Sequence, residues 1–532
     1  MSNNMDLFQQ FIVTSRYCKW VEEEGRRETW NECVDRYYDY IIDSNAWDWG
    51  IEAFSEMSNE IEECREATKQ LEMFPSMRAL MSAGKAADVD NTVFYNCSYL
   101  PIKDVQSFAE VLYILCCGTG VGFSCEREYT DQLPVIPEEI TKTDNVIMVQ
   151  DSRAGWADAL KELMNNLYEG NHPTWDTSLI RPAGARLKTF GGRASGPEPL
   201  ERLFRYIVKL FYNASGRKLR SIEVHDIVCL IGEIVIAGAV RRSALISLSD
   251  VSDHEMAKAK SGPWWDLAGH RSLANNSAVY KNKPTLGQYL EEWSHLYESR
   301  SGERGICNRK AMAAIAEKCG RKTEGIEFGT NPCSEIILRP YQFCNLTEVV
   351  VRPEDDLESL REKVIKATIM GTIQSSFTYF PYLRKEFKEN CEEERLLGVS
   401  FTGIYDSKLM SGQLGKGKLS YVLEELREEA VKTNLRWSRK LNIAPSKAIT
   451  CCKPSGTTSC VANTSSGLHP RYSDFYIRRV RADLQDPLCK FMKDSGIPFE
   501  PCVLRPDTTA VFSFPMKAPC NTVTQQNIKA LD

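Results

Sequence analysis

The sequence predicts an α/β protein: a helical N-terminal domain over residues 1–75, then one large α/β domain over residues 76–532. Three observations predict it. Residues 1–75 carry charged and aromatic side chains at helical spacing, as in WVEEEGRRETWNECVDRYYDYII. From residue 76 onward, short apolar segments alternate with amphipathic stretches, the pattern of β–α units around a largely parallel sheet. The chain has 532 residues, 42% of them hydrophobic, with no internal repeat and no low-complexity linker, so one large core can form.

The elements follow in order. FYNCSYLPI (94–102) reads as a strand that carries Cys97. SFAEVLYILCCGTGVGFSCE reads as a helix, a glycine turn and a strand, and PLERLFRYIVKLFYNA as an amphipathic helix. SALISLS and NNSAVY read as strands after turns. ESLREKVIKATIMGTIQSSF and LSYVLEELREEAVKTNLRWSRKL read as helices. The closing PCNTVTQQNIKALD reads as the first turns of a helix.

Composition excludes several classes. Net charge is −6 and no dense Lys/Arg block occurs, which argues against a nucleic-acid partner. The N-terminus has no apolar signal region, and the longest apolar run, IVCLIGEIVIAGAV (227–240), is too short to span a bilayer and contains Glu233. A cytosolic protein without a membrane partner is expected. Its nineteen cysteines include no C-x-x-C, so structural zinc is not indicated; most read as small buried hydrophobes. Six histidines (172, 225, 254, 270, 295 and 469) read as ordinary polar or core residues, and no metal ligand is assigned.

Five short stretches could carry chemistry. In GTNPCSEIILRPYQFCNL, Asn331, Cys333 and Glu335 alternate and so share one face of an extended segment, with Cys344 eleven residues beyond Cys333. An amide, a thiol and a carboxylate together could hold a hydroxylated substrate, deliver sulfur and move a proton. KPSGTTS (453–459) makes a turn whose backbone N–H groups could cradle phosphate. GTGVGFS (118–124) permits close backbone approach, AGAVRRSA (237–244) pairs Gly238 with Arg241 and Arg242, and FYNCSYLPI supplies Cys97. Each stretch alone is equally readable as an ordinary turn, a solvated basic loop or a core cysteine.

Their order and wording are more specific. FYNCSYLPI, GTGVGFS, FGGRASGPEPL, AGAVRRSA, LANNSAVY, GTNPCSEIIL, FCNL, LLGVSFTGIYD, KPSGTTS, SGLHPRY and FSFPMKA together resemble the catalytic chain of ribonucleotide reductases. The likeness is to class II, the adenosylcobalamin-dependent ribonucleoside-triphosphate reductases, and it covers nearly the whole chain. It implies a ten-stranded α/β barrel around a finger loop, whose last elements are expected to be missing here. Cys333 matches the radical cysteine at the tip, which needs a shielded interior. Glu335 matches the base at the 3′-hydroxyl and Asn331 the amide on the substrate hydroxyls. Cys97 and Cys344 match the dithiol that ends as a disulfide. Asn96 and Gly120, in a glycine turn beside the ribose, with Ser455, Gly456, Thr457 and Thr458, match substrate-binding positions. Gly238, Arg241, Arg242 and Ser243 match the loop through which a deoxynucleotide effector, placed around 180–195 and 238–243, tunes base specificity. Adenosylcobalamin is the implied cofactor, although the mutase motif D-x-H-x-x-G is absent, and thioredoxin or a similar dithiol the implied reductant.

Two departures set further expectations. No ATP-binding cone is seen at the N-terminus. The chain ends at Asp532 without the family's cysteine tail, which suggests a fragment, or a second polypeptide carrying the remainder as in split viral genes; the chain alone is then not expected to turn over repeatedly with thioredoxin. The stretch before VQDSRAGW looks short, where monomeric relatives carry an insertion, which favours a homodimer. The competing readings are a class I large subunit needing a separate radical-generating protein, and an inactive nucleotide-binding fragment. The eleven-residue spacing speaks against the former, and intact Cys333 and Glu335 against the latter.

Overall fold

A computed structural model describes residues 5–45, 51–185, 194–237, 244–484, 487–503 and 506–529. The N-terminal region is helical, as expected, over Leu7–Arg16, Trp30–Asn45 and Ile51–Lys69, with a small hairpin of β1 (Trp20–Val21) and β2 (Arg26–Arg27) between the first two. It ends in β3 (Met73–Phe74). Its apolar side chains, Phe8, Val34, Tyr37 and Phe74 among them, join the same continuous core as the rest of the chain.

The centre is a curled eight-stranded sheet. Five parallel strands form one half: β4 (Cys97–Pro101), β5 (Gly120–Ser124), β8 (Leu245–Asp250), β9 (Ala274–Tyr280) and β10 (Gly305–Asn308). Between β5 and β8 the chain leaves the sheet for a parallel pair, β6 (Thr141–Met148) and β7 (Asn171–Asp176), joined by the helix Arg153–Tyr168. After β10 comes a short antiparallel finger, β11 (Gly329–Thr330) and β12 (Ile337–Leu338). The second half opens with β13 (Gln342–Val350), antiparallel to both β4 and β3, and continues in β14 (Leu397–Thr402), parallel to β13. A parallel bridge from Val399 to Thr450 adds a further backbone to that half. The α/β barrel architecture is thus present, with eight strands of the expected ten bonded in one sheet among the described residues. A separate sheet of β15 (Phe475–Asp483), β16 (Phe499–Pro501) and β17 (Thr509–Lys517) closes the chain.

Strand periodicity explains the curl. Outward residues such as Leu100, Val121, Phe343 and Val349 pack against helices, whereas Tyr99, Ile246, Leu248, Val279 and Leu346 point inward to a second core. The finger residues Ile336 and Leu338 fill that inner core, so the sheet wraps around its own finger. Outside, the helix Glu198–Asn213 buries Leu200, Leu203, Phe204, Ile207, Val208, Leu210 and Phe211 at three- and four-residue intervals. The helix Leu357–Gln374 starts at Asp356, whose side chain accepts from Ser359 N. No described helix is long and apolar enough to cross a membrane.

Two local expectations fail. Gly120 lies in β5, not in a turn; the turn before it is made by Gly118, at φ +84°. Residues 520–529 form turns, not a helix: Val523 N donates to Tyr405 O and Gln525 N to Arg471 O, so the backbone groups a helix would use are spent on neighbouring segments.

Candidate active site

The finger tip is a tight turn. Ser334 N donates to Asn331 O at 2.9 Å, with Pro332 in the position whose φ proline presets and Ser334 in the left-handed region at φ +66°. Cys333 therefore sits at the apex. Asn331 is fully buried; its Oδ1 accepts from Ile336 N at 2.9 Å and its Nδ2 donates to Cys97 Sγ at 3.2 Å. One amide thus locks the turn and touches a thiol of the surrounding wall.

That wall is the antiparallel junction of β4 and β13. Cys97 stands directly across from Cys344 in this register. Directly opposed residues in such ladders have Cβ atoms about 4.5–5.5 Å apart, near the 3.5–4.5 Å of a disulfide. Both cysteines are reduced here and buried. Burial pushes the Cys344 thiol well above its ordinary range, and its hydrogen bond with Cys97 pushes it further.

Glu335 follows the apex. Burial raises the pKa of its carboxyl; the Asn331 hydrogen bond and the Lys453 charge pull the other way. Its Oε2 is buried with no hydrogen-bond partner, an acceptor left for a ligand hydroxyl. Cys333, by contrast, is exposed, whereas a shielded interior was expected. The turn lifts it off the inner core, so cover over this thiol has to come from whatever binds there.

The phosphate-loop residues lie at the edge of the second half. Ser455 is buried at φ +60°, Gly456 faces open space, and Thr457 precedes the helix Thr458–Ala462, which has no side-chain cap. Lys453 Nζ is engaged by the buried Glu348 at 2.6 Å. Asn96 is drawn into the sheet junction: its Oδ1 accepts from Leu346 N at 3.0 Å and from Ser76 Oγ at 2.8 Å. Gly120 serves the finger: a Cβ there would meet Pro332 Cγ at 3.0 Å. Gly238, Arg241, Arg242 and Ser243 lie outside the described residues, as does 186–193 of the expected effector region.

Sequence reasoning missed the residues that hold the finger. Arg309, buried, donates to Glu126 at 2.9 and 2.6 Å, to Glu327 at 2.7 Å and to Phe328 O at 2.9 Å, just before β11. Beyond the tip, Arg321 donates to Glu394 and to Ile337 O. Asn275 Nδ2 reaches Pro332 O at 3.2 Å. Only Asn275 lay in a stretch that stood out, LANNSAVY. Cys451 was also missed; its Sγ lies 2.9 Å from where a Gly398 Cβ would be, beside Leu346 and Ile336.

Comparison with known proteins agrees with this fold. A solved B12-dependent (class II) ribonucleotide reductase superposes with a TM-score of 0.82 at 25% identity, covering 96% of this chain and 82% of that one. A family profile described as the insertion domain of B12-dependent ribonucleotide reductase matches residues 131–211. Along nearly its whole length the chain is similar to class II ribonucleotide reductases. Adenosylcobalamin-dependent ribonucleoside-triphosphate reductases of Lactobacillus acidophilus and Euglena gracilis are each 27% identical to this chain, over 94% and 95% of its length and 78% and 70% of theirs. The alpha subunit of a class Id reductase from Actinobacillus ureae shares the fold alone, with a TM-score of 0.52 at 12% identity. The insertion-domain match spans β6, β7 and the helices Arg153–Tyr168 and Glu198–Asn213. It includes the stretch before VQDSRAGW whose shortness favoured a homodimer.

Proposed function

We propose that this reductase converts ribonucleoside triphosphates to 2′-deoxyribonucleotides with adenosylcobalamin as cofactor and thioredoxin or a similar dithiol as reductant. The observation that carries the reading is the convergence, around one finger, of an exposed apex thiol, an orphaned carboxylate oxygen and a cross-strand dithiol. An exposed Cys333 fits a cofactor that must reach it from outside the sheet. Adenosylcobalamin bound over the finger tip would supply a one-electron oxidant for the Cys333 thiol.

The chain's own residues then do the following. The Cys333 thiyl takes the ribose 3′-hydrogen, an exchange that the weak S–H bond permits. Glu335, with Oε2 free, takes the 3′-hydroxyl proton, and Asn331 holds the turn that aims both. The 2′-hydroxyl leaves as water with a proton from the Cys97–Cys344 pair. The pair's other hydrogen goes to C2′, the pair gives up two electrons and closes as a disulfide, Glu335 returns its proton to the 3′-oxygen, and Cys333 returns its hydrogen to C3′. Backbone N–H groups of Ser455–Thr458 cradle the substrate phosphates. The external dithiol restores Cys97 and Cys344 by exchange.

The test is deoxynucleotide formation from a ribonucleoside triphosphate with adenosylcobalamin and a small dithiol. Product should depend on the cofactor, and Cys333→Ser should abolish it. Product without added cofactor would sink the cobalamin assignment; product from Cys333→Ser would sink the radical role.

A further inference from the structure

Away from the finger, three side chains with metal-ligating atoms converge where the segment after β8 meets the helix Leu286–Ser299. His254 opens the short helix His254–Ala257, held in place by Asp253, whose side chain accepts from Met256 N at 3.0 Å. Glu291 and His295 lie four residues apart on Leu286–Ser299 and so project from one face. One ligating atom from each of the three lies within 4.8 Å of the others, and His254 Nδ1 is 3.7 Å from Glu291 Oε1. His295 Nδ1 is shut off from solvent and has no hydrogen-bond partner. A polar atom in that state is unfavourable, and a ligand on it removes the penalty.

The joint beneath is fixed. Arg304, buried, donates to Glu292 on the same helix at 2.7 and 2.8 Å, to Ser249 Oγ at 3.0 Å, and to the carbonyls of Asp250 and Val251 at 2.8 and 2.7 Å. The helix is thereby tied to the end of β8, which keeps Glu291 and His295 opposite His254.

We propose that His254, Glu291 and His295 form a binding site for a divalent transition ion of the zinc class. Two imidazole nitrogens and one carboxylate oxygen are the donors such ions take, with water in the fourth position. Calcium and magnesium prefer oxygen ligands and are not matched by two imidazoles. Ligand atoms around a tetrahedral zinc lie about 3.3 Å apart, so small rotations of the exposed His254 and Glu291 side chains complete the set. The ion adds a second link across the joint that Arg304 spans. The site is independent of the reductase chemistry at the finger.

Equilibrium dialysis of the full chain against zinc, with cobalt(II) absorption in parallel, tests this. The exposed thiols of Cys333, Cys452 and Cys520 would also take up zinc, so the readout is the difference between wild type and variants. Wild type should hold about one more equivalent than His295→Ala or His254→Ala. The cobalt(II) difference spectrum should show ligand-field bands without thiolate charge transfer. The His254 side chain is 69% exposed, so its replacement leaves the core intact and decides the matter even where His295→Ala folds poorly. Equal zinc content in wild type and His254→Ala, or a difference spectrum with a thiolate band, overturns the site.

Discussion

Cys333 and Cys344 lie eleven residues apart and end in opposite surroundings. Cys344 is fully buried in β13 across from Cys97, with its thiol pushed up by burial, while Cys333 stands exposed at the tip of a turn. Thiolate is the form that exchanges and oxidises, so a buried thiol with a raised pKa resists oxidants from solvent. An exposed apex thiol instead meets what comes from outside. In the proposed reaction the sheet keeps a two-electron reductant under cover and the finger presents a one-electron site. The short loop between the two thiols does not make them partners; the register of β4 with β13 sets Cys97, not Cys333, across from Cys344.

The comparison breaks most sharply at Cys344. Cys344→Ser should eliminate deoxynucleotide product while native-state alkylation still marks Cys333. Mild oxidation of wild type should link the Cys97 and Cys344 peptides in mass spectrometry and leave Cys333 open to alkylation. A 333–344 link instead would reverse the assignment of roles.

Glu335 comes next in size. A general base contributes about 10²–10⁴-fold, so Glu335→Gln should lower kcat by that order with the nucleotide still bound. Burial raises the pKa of the Glu335 carboxyl, so its basic form appears only at higher pH than for a free glutamate. The acid limb of the kcat/KM profile should therefore lie above the ordinary carboxylate range and vanish in Glu335→Gln. The positive charge of Lys453 opposes the shift, so Lys453→Met should move the limb to still higher pH. A limb that stays put in Glu335→Gln belongs to another group.

How much of this was legible in the sequence differs from part to part. The alternation of strands and helices was readable because strand LISLSD and helix PLERLFRYIVKLFYN carry their periodicity locally. The finger residues were readable through the wording of GTNPCSEIIL. Pairing of Cys97 with Cys344 came from likeness alone, since two strands 247 residues apart in sequence carry no local sign of their register. The supports of the finger were invisible for the same reason: Glu126 and Arg309 meet across 183 residues, and each alone reads as a surface charge. Gly120 was placed in a turn because glycine-rich runs usually turn, whereas here a bare strand face is what the finger needs.

The smallest expected effects separate two kinds of glycine. At Gly122 an added Cβ would fall 1.8 Å from Thr330 O, a backbone atom of β11 that cannot move without shifting the finger. Gly122→Ala should therefore cost about 1–3 kcal/mol in denaturant unfolding. It should also lower kcat, since a misplacement of about 1 Å at a catalytic group can cost 10²-fold. At Gly456 the same methyl meets open space, so Gly456→Ala should change stability by less than about 0.5 kcal/mol. If the Ser455–Thr458 backbone cradles phosphate, that methyl should instead raise KM for the triphosphate and leave kcat nearly unchanged. An unaltered KM would take Gly456 out of the substrate contact and leave the finger glycines as the only ones in this comparison that act by close approach.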